Sequence, residues 1–202
     1  MKIHFKIPYY TQWGQRLLVS GNVPELGSGD IAKALALNFY AKEDWSAEIE
    51  LNHNEPFELN YKYILFNEQT GQYSEEWGDD RNLKLDSSLM DHFFCIDVWN
   101  SPASLENVFL TTPFQKVLLK EEREFQLPKP IAKPTHIFKV KMPLIKNNEE
   151  ICLIGDCKAL GNWTTTNPIV LKRTENNWWT AWVDLSKEQT DVHYKYGIYD
   201  RE

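Results

Sequence analysis

The sequence predicts an all-β protein, a sandwich or a barrel, on three observations: strand-like alternation, turn clusters between the alternating stretches, and an internal repeat. The first alternating stretch sets Ile3, Phe5 and Ile7 against His4 and Lys6. With a period of two, the three apolar residues share one face, as a strand half-buried on a core requires. Next, Trp45, Ala47, Ile49 and Leu51 share a face, so Trp45 is expected in the core and not at a binding site. A longer stretch alternates Phe57, Leu59, Tyr61, Tyr63 and Leu65 with Glu58, Asn60, Lys62 and Ile64, and the apolar run Phe93 to Trp99 follows. Gly, Asn, Asp and Pro clusters separate these runs, and helical periodicity is weak throughout.

The repeat sets the organisation. A shift of 134 residues places Gly21 on Gly155, Leu26 on Leu160, Gly27 on Gly161 and Leu37 on Leu171. It also places Trp45, Ala47, Ile49 and Leu51 on Trp179, Ala181, Val183 and Leu185. With one residue of slippage Tyr61-Lys62-Tyr63 falls on Tyr194-Lys195-Tyr196. Two copies of one β-sandwich are implied: a first module over residues 1–100, a linker over 101–134 and a second module over 135–202. The linker holds a partly apolar stretch, Val108 to Leu119, and ends in the polyproline-type Leu127 to Pro134. Glu202 corresponds to position 68 of the first copy, so the second module is expected to be truncated and the parent polypeptide to continue.

Composition excludes several function classes. A net charge of −7 argues against nucleic acid, whose phosphates call for clustered Lys and Arg. No stretch approaches the ~20 apolar residues of a membrane span, and the N-terminus lacks a leader-like apolar run, which points to a soluble cytoplasmic protein. Cys95, Cys152 and Cys157 form no disulfide rhythm and read as buried small hydrophobes; the five histidines are scattered, so neither metal nor cofactor is implied. Eight tryptophans and 13% aromatic residues exceed what a core of this size needs, so some rings are expected to face a ligand.

Val19-Ser20-Gly21 with Leu26-Gly27, and Ile154-Gly155 with Leu160-Gly161-Asn162-Trp163, resemble the opening of carbohydrate-binding module family 20, and the Tyr-Lys-Tyr strands fit it too. Phe5 to Gln15, Asp97-Val98-Trp99 and Pro113 to Val117 further resemble the plant-type cytosolic disproportionating 4-α-glucanotransferases, in which two such modules precede a glycoside hydrolase family 77 barrel. The resemblance implies two immunoglobulin-like antiparallel β-sandwiches in tandem. It also implies non-catalytic binding of an α-1,4-glucan such as starch, glycogen or maltooligosaccharide, beside a covalently linked catalytic domain. The alternative is an interaction scaffold that docks the catalytic domain or a partner subunit.

A glucan offers apolar C–H faces that stack on aromatic rings, and hydroxyls that need donors and acceptors. Trp163, in a turn-prone segment, matches the first stacking tryptophan of the family's site 1, and Lys195 its sugar-contacting lysine. The second site-1 tryptophan belongs to a motif beyond Glu202. In the first module Gly29 stands where Trp163 does, and the motif reads Glu75-Glu76-Trp77-Gly78-Asp79-Asp80-Arg81, so both platforms are missing. Lys62 remains; Trp77 lies two residues late and is expected to pack at the rim unless the loop bends to bring it onto the ligand. For site 2 the resemblance points to Trp13 and Tyr40, with burial of Trp13 under the linker as the competing reading. The second module has Asn147 and Thr174 there and is expected to lack that site. Glu75-Glu76 and Asp79-Asp80 read as solvated loop charges, and no glycosidase-like carboxylate pair is assigned. Trp178 and Trp182 fall where the first module has Asp44 and Glu48, and are left without a role.

Overall fold

The structure, a computed structural model, describes residues 1–40, 44–53, 55–88, 90–118, 134–174, 177–188 and 191–200. The chain divides into two compact units, Met1–Val108 and Phe109–Glu202. In the first, β1 (Lys2–Pro8) lies between β5 (Asp44–Glu50), antiparallel, and β9 (His92–Ile96), parallel, with β4 (Asn38–Phe39) beyond β5. The second sheet runs β3 (Leu35–Ala36), β2 (Gln15–Gly21), β6 (Phe57–Asn67); the long β6 then pairs along one half with β7 (Gln72–Glu75) and along the other with β8 (Arg81–Leu85).

The period-two pattern explains why these sheets face each other. Ile3, Phe5 and Ile7 of β1, Leu17 and Val19 of β2, and Leu59, Tyr61 and Tyr63 of β6 are buried in one cluster. Each aliphatic side chain so buried contributes about 1.5–3 kcal/mol, which makes the two-sheet sandwich the stable arrangement. Trp45 belongs to the same core, and its indole N–H donates to the Tyr9 carbonyl at 3.1 Å, which pairs the donor that its burial brings inside.

The second unit repeats this architecture. β10 (His136–Lys141), β14 (Trp178–Val183) and β13 (Lys172–Arg173) form one sheet, and β12 (Ile169–Val170), β11 (Glu149–Gly155) and β15 (Tyr194–Asp200) the other. Phe138, Ile151, Leu153, Leu171, Trp179 and Val183 are buried between them. Gly21 pairs with Tyr61 and Gly155 with Tyr194, the same register in both units. Among the described residues the second unit has no counterpart of β7, β8 or β9. Between the sandwiches the chain forms a 3-10 helix, Leu105–Leu110, and a π-helical turn, Phe114–Leu118. The proline-rich stretch foreseen over 127–134 lies, up to residue 133, outside the described residues.

One expectation is corrected. Glu76 is not a solvated loop charge: it is buried, and Arg81 grips both its oxygens, Nε to Oε1 at 2.9 Å and Nη2 to Oε2 at 2.7 Å. Arg81 Nη1 also donates to Asp97 Oδ1 at 2.9 Å, while the hydroxyls of Tyr61 and Tyr63 donate to Asp97 Oδ2 at 2.9 Å each. The Tyr63 and Asn100 amides donate to Glu76, at 3.0 and 3.1 Å. Burial works against the Arg81 charge, but its hydrogen bonds and ion pairs with Glu76 and Asp97 outweigh it, and the guanidinium pKa is raised. Burial also pushes both tyrosine hydroxyls well above their ordinary pKa. The pattern of acidic residues gave no sign of this, because the partners arrive from β8 and from the end of β9.

Removing one member of a buried ion pair strands the other, at about 3–5 kcal/mol. Arg81→Ala is therefore expected to lower the unfolding free energy of the first unit by that amount in denaturant titration, whereas Glu75→Gln stays within about 0.5 kcal/mol. Thiol labelling checks the core independently. Burial pushes the Cys95 thiol up to about 12, and Cys152 is buried too, so half-buried Cys157 is expected to react first and Cys95 only on unfolding.

Candidate functional site

In the second unit, β11 ends at Gly155, where a Cβ would come within 2.6 Å of the carbonyl oxygen of His193, the residue just before β15. A 3-10 turn, Lys158–Leu160, follows; Leu160 plugs it into the core and Gly161 ends it at φ 84°. Asn162 and Trp163 then both adopt left-handed backbone, φ 48° and 61°. The Trp163 N–H donates to the Gly155 carbonyl at 2.6 Å, so the strained turn is folded back on the end of β11. The indole it carries is 42% exposed, and Lys195, paired with Ile154 in the adjacent strand, sets its ammonium 5.8 Å from the centre of that ring. Trp163 and Lys195, 32 residues apart in sequence, thus meet as one platform with a hydrogen-bond donor beside it. At its base Asp156 accepts from His193 Nδ1 at 2.8 Å.

The first unit builds the same turn without the ring. Gly29 takes the place of Trp163 and makes the same bond, its N–H to the Gly21 carbonyl at 2.8 Å. Its φ is 83°, and a Cβ there would meet nothing within 4 Å. Lys62 is only 18% exposed and is held by Asp80 at 3.2 Å and Glu75 at 3.6 Å. A cavity of roughly 310 Å³ opens above it, lined by Ser20, Asn22, Gly29, Asn60, Glu75 and Asp80 among others. Trp77 is 38% exposed, its N–H tied to the Asn100 carbonyl at 2.9 Å, and it does not line that cavity.

The residues expected at site 2 lie on segments that leave the same end of the β1–β5 pair. Trp13, in the turn between β1 and β2, is 94% exposed and so is not buried under the linker. Tyr40 is 63% exposed, and its N–H donates to the Asp44 carbonyl at 2.7 Å. Asp44 pairs in turn with Pro8, the residue from which the Trp13 turn departs. Tyr10, exposed in that same turn, was passed over in the sequence; the signal was there, since Tyr9 and Tyr10 follow one another and only one can face inward. Tyr9 turns in and packs on Trp99 at 4.7 Å. In the second unit Leu144, Asn147 and Thr174 hold the positions of Tyr10, Trp13 and Tyr40, so this cluster has no aromatic counterpart there.

Trp178 lies beneath Lys139 and Lys141, whose ammonium groups are 5.2 and 5.9 Å from its ring centre. Among the described residues no three His, Cys, Asp or Glu side chains gather as metal ligands would, and no helix is long and apolar enough to cross a membrane. What the two aromatic surfaces can do chemically is stack on flat apolar faces and offer a cation or amide to hydroxyls beside them.

Comparison with known proteins gives the family. The rice 4-alpha-glucanotransferase DPE2 is 29% identical over 205 residues, covering 95% of this chain and 21% of the relative. The cyclomaltodextrin glucanotransferase of Klebsiella oxytoca is 33% identical over 81 residues, 39% of this chain and 12% of that protein. The chain thus spans about a fifth or less of the length of these relatives. Among solved structures, the glucoamylase of Hormoconis resinae aligns over 51% of this chain and 18% of its own, with TM-score 0.44 and 30% identity. The family 20 module of the maltotetraose-forming amylase of Pseudomonas saccharophila STB07 aligns over 48% of this chain and all of its own, with TM-score 0.39 and 19% identity. Residues 1–91 and 135–202 both match the starch binding domain family, and the chain belongs to that family.

Proposed function

We propose that this chain is a non-catalytic, cytoplasmic binder of α-1,4-glucan, and that it forms the N-terminal part of a 4-α-glucanotransferase whose catalytic domain follows it. The observation that carries the reading is the pairing of an exposed, backbone-strained Trp163 with Lys195. A ring held out at the expense of backbone strain has no packing purpose of its own, and it suits a sugar face. Family membership and the rice relative support the same reading. The two modules, taken as 1–100 and 135–202 about a linker, divide the work: the second binds through Trp163 and Lys195, the first through Trp13 and Tyr40, with Lys62 as an auxiliary polar contact and Trp77 at the rim. Starch, glycogen and maltooligosaccharides share the recognised ring faces.

Retention on amylose, with β-cyclodextrin as competitor, tests the reading directly. Losing a stacking ring removes about 1–3 kcal/mol, so Trp163→Ala and Trp13→Ala are each expected to weaken binding roughly tenfold with little change in melting temperature. Trp45→Ala should instead cost about 3–5 kcal/mol of stability in the first module. Unchanged amylose retention in the Trp13→Ala/Trp163→Ala double variant would overturn the assignment.

Two sites on one chain make the second contact intramolecular, so the full chain is expected to favour amylose over maltoheptaose more strongly than residues 1–100 alone. An equal advantage for both ligands would contradict bivalent binding. Incubated with maltotriose, the purified chain should release no glucose.

A further inference from the structure

We propose that β9 is an assembly edge: two copies of this chain join by antiparallel pairing of their β9 strands about a two-fold axis at Phe94, which continues one sheet of the first unit into the other copy. β9 (His92–Ile96) is the end strand of its sheet, and among the described residues it pairs with β1 alone. Lys2 N–H donates to the Asp91 carbonyl and Asp97 N–H to the Lys6 carbonyl, so the odd-numbered residues of this stretch turn their backbone groups to β1. The N–H and C=O groups of His92, Phe94 and Ile96 therefore point along the free edge. Sheets commonly blunt such an edge with short strands, charge or proline. The other outer strands of the first unit follow that rule: β3 and β4 are two residues long, β7 ends in Glu75, and β8 carries Arg81 and Lys84. β9 runs for five residues without a Lys, Arg, Asp, Glu or Pro. Its side facing away from the core is apolar as well, with Phe94 66% and Ile96 57% exposed.

The edge is complementary to itself, which is why the partner is a second copy. In an antiparallel pair, two facing residues whose backbone groups point at each other exchange both hydrogen bonds. A two-fold axis through Phe94 sets Phe94 against the partner's Phe94 and His92 against the partner's Ile96, so each of the three free residues of β9 finds a mate. The axis stands perpendicular to the sheet and continues outer face into outer face, where aromatic and aliphatic side chains meet with no like charges opposed. A shift of one residue would aim free groups at groups already bonded to β1, and a shift of two would leave one residue unpaired. Phe94 is preset for the contact, its ring stacked on that of His4 with centres 4.5 Å apart. β10, the end strand of a sheet in the second unit, carries Lys139 and Lys141 and is the poorer mate. A strip of three residue pairs is small beside the roughly 1,200 Å² of a standard interface, so the association is weak and depends on concentration.

Sedimentation velocity of the full chain, without glucan and over roughly a hundredfold range of concentration, tests the pairing; a shift from monomer to dimer with no larger species is expected. Phe94→Lys sets two ammonium groups against each other at the axis and should weaken dimerisation roughly tenfold, with the melting temperature of the dilute chain unchanged. Ile96→Lys, away from the axis, should act in the same direction and serves if the first variant fails to fold. Amide hydrogen exchange separates strand pairing from side-chain contact alone. In the dimer the amides of His92, Phe94 and Ile96 should slow roughly tenfold against the dilute chain, while those of Phe93 and Cys95, bonded to β1, are slow in both. The proposal is overturned if the chain stays monomeric throughout, if it grows beyond a dimer, if a folded lysine variant dimerises unchanged, or if the His92, Phe94 and Ile96 amides exchange alike in monomer and dimer.

Discussion

The close approach of one strand end to the next strand governs the turn that carries residue 29 in one unit and residue 163 in the other. A Cβ at Gly21 would lie 2.7 Å from the Asn60 carbonyl oxygen, and one at Gly155 2.6 Å from that of His193. Only glycine lets β2 and β11 end so near their neighbours. That proximity brings the following turn back over the Tyr-Lys-Tyr strand, with Leu26 or Leu160 driven into the core as its anchor. The position of every residue in the turn, including 29 and 163, follows from this one contact.

From a shared scaffold the two units present different chemistry because three kinds of position vary independently. The turn tip is glycine in one unit and tryptophan in the other. The lysine of the Tyr-Lys-Tyr strand is neutralised by carboxylates in the first unit and stands beside an indole in the second. The outer face of the first sheet also differs: in the first unit Lys2 and His4 pair with Glu48 and Lys6 with Asp44, whereas in the second Trp178 and Trp182 occupy the acidic positions. None of these changes touches the buried cluster, so the fold tolerates them.

The sandwich was legible because burial on one face of a strand leaves a period-two trace, and the trace at Ile3–Ile7 and at Leu59–Tyr63 is nearly unbroken. The repeat was legible because Gly21 and Gly27 serve backbone needs that few other residues meet, and Leu26 anchors their turn in the core. Trp163 and Lys195 could be singled out by resemblance, but their meeting depends on register between β11 and β15, which no local pattern encodes. The buried state of Glu76 was illegible for the same reason. A carboxylate in an acidic loop looks solvated until Arg81, at the start of β8, grips it while Asp97, just after β9, holds the same guanidinium.

The parallel pairing of β1 with β9 has a consequence for mechanics. The first module's chain enters along β1 and leaves along β9, and the two are direct neighbours running the same way over five residue pairs, from Lys2 with His92 to Lys6 with Ile96. Tension that drew Met1 and Asn100 apart would act along those strands and load their hydrogen bonds together in shear, instead of peeling them one by one. The exit is reinforced where Arg81 holds Asp97 and the Val98 carbonyl. A module built this way resists being pulled open when its two ends are drawn in opposite directions.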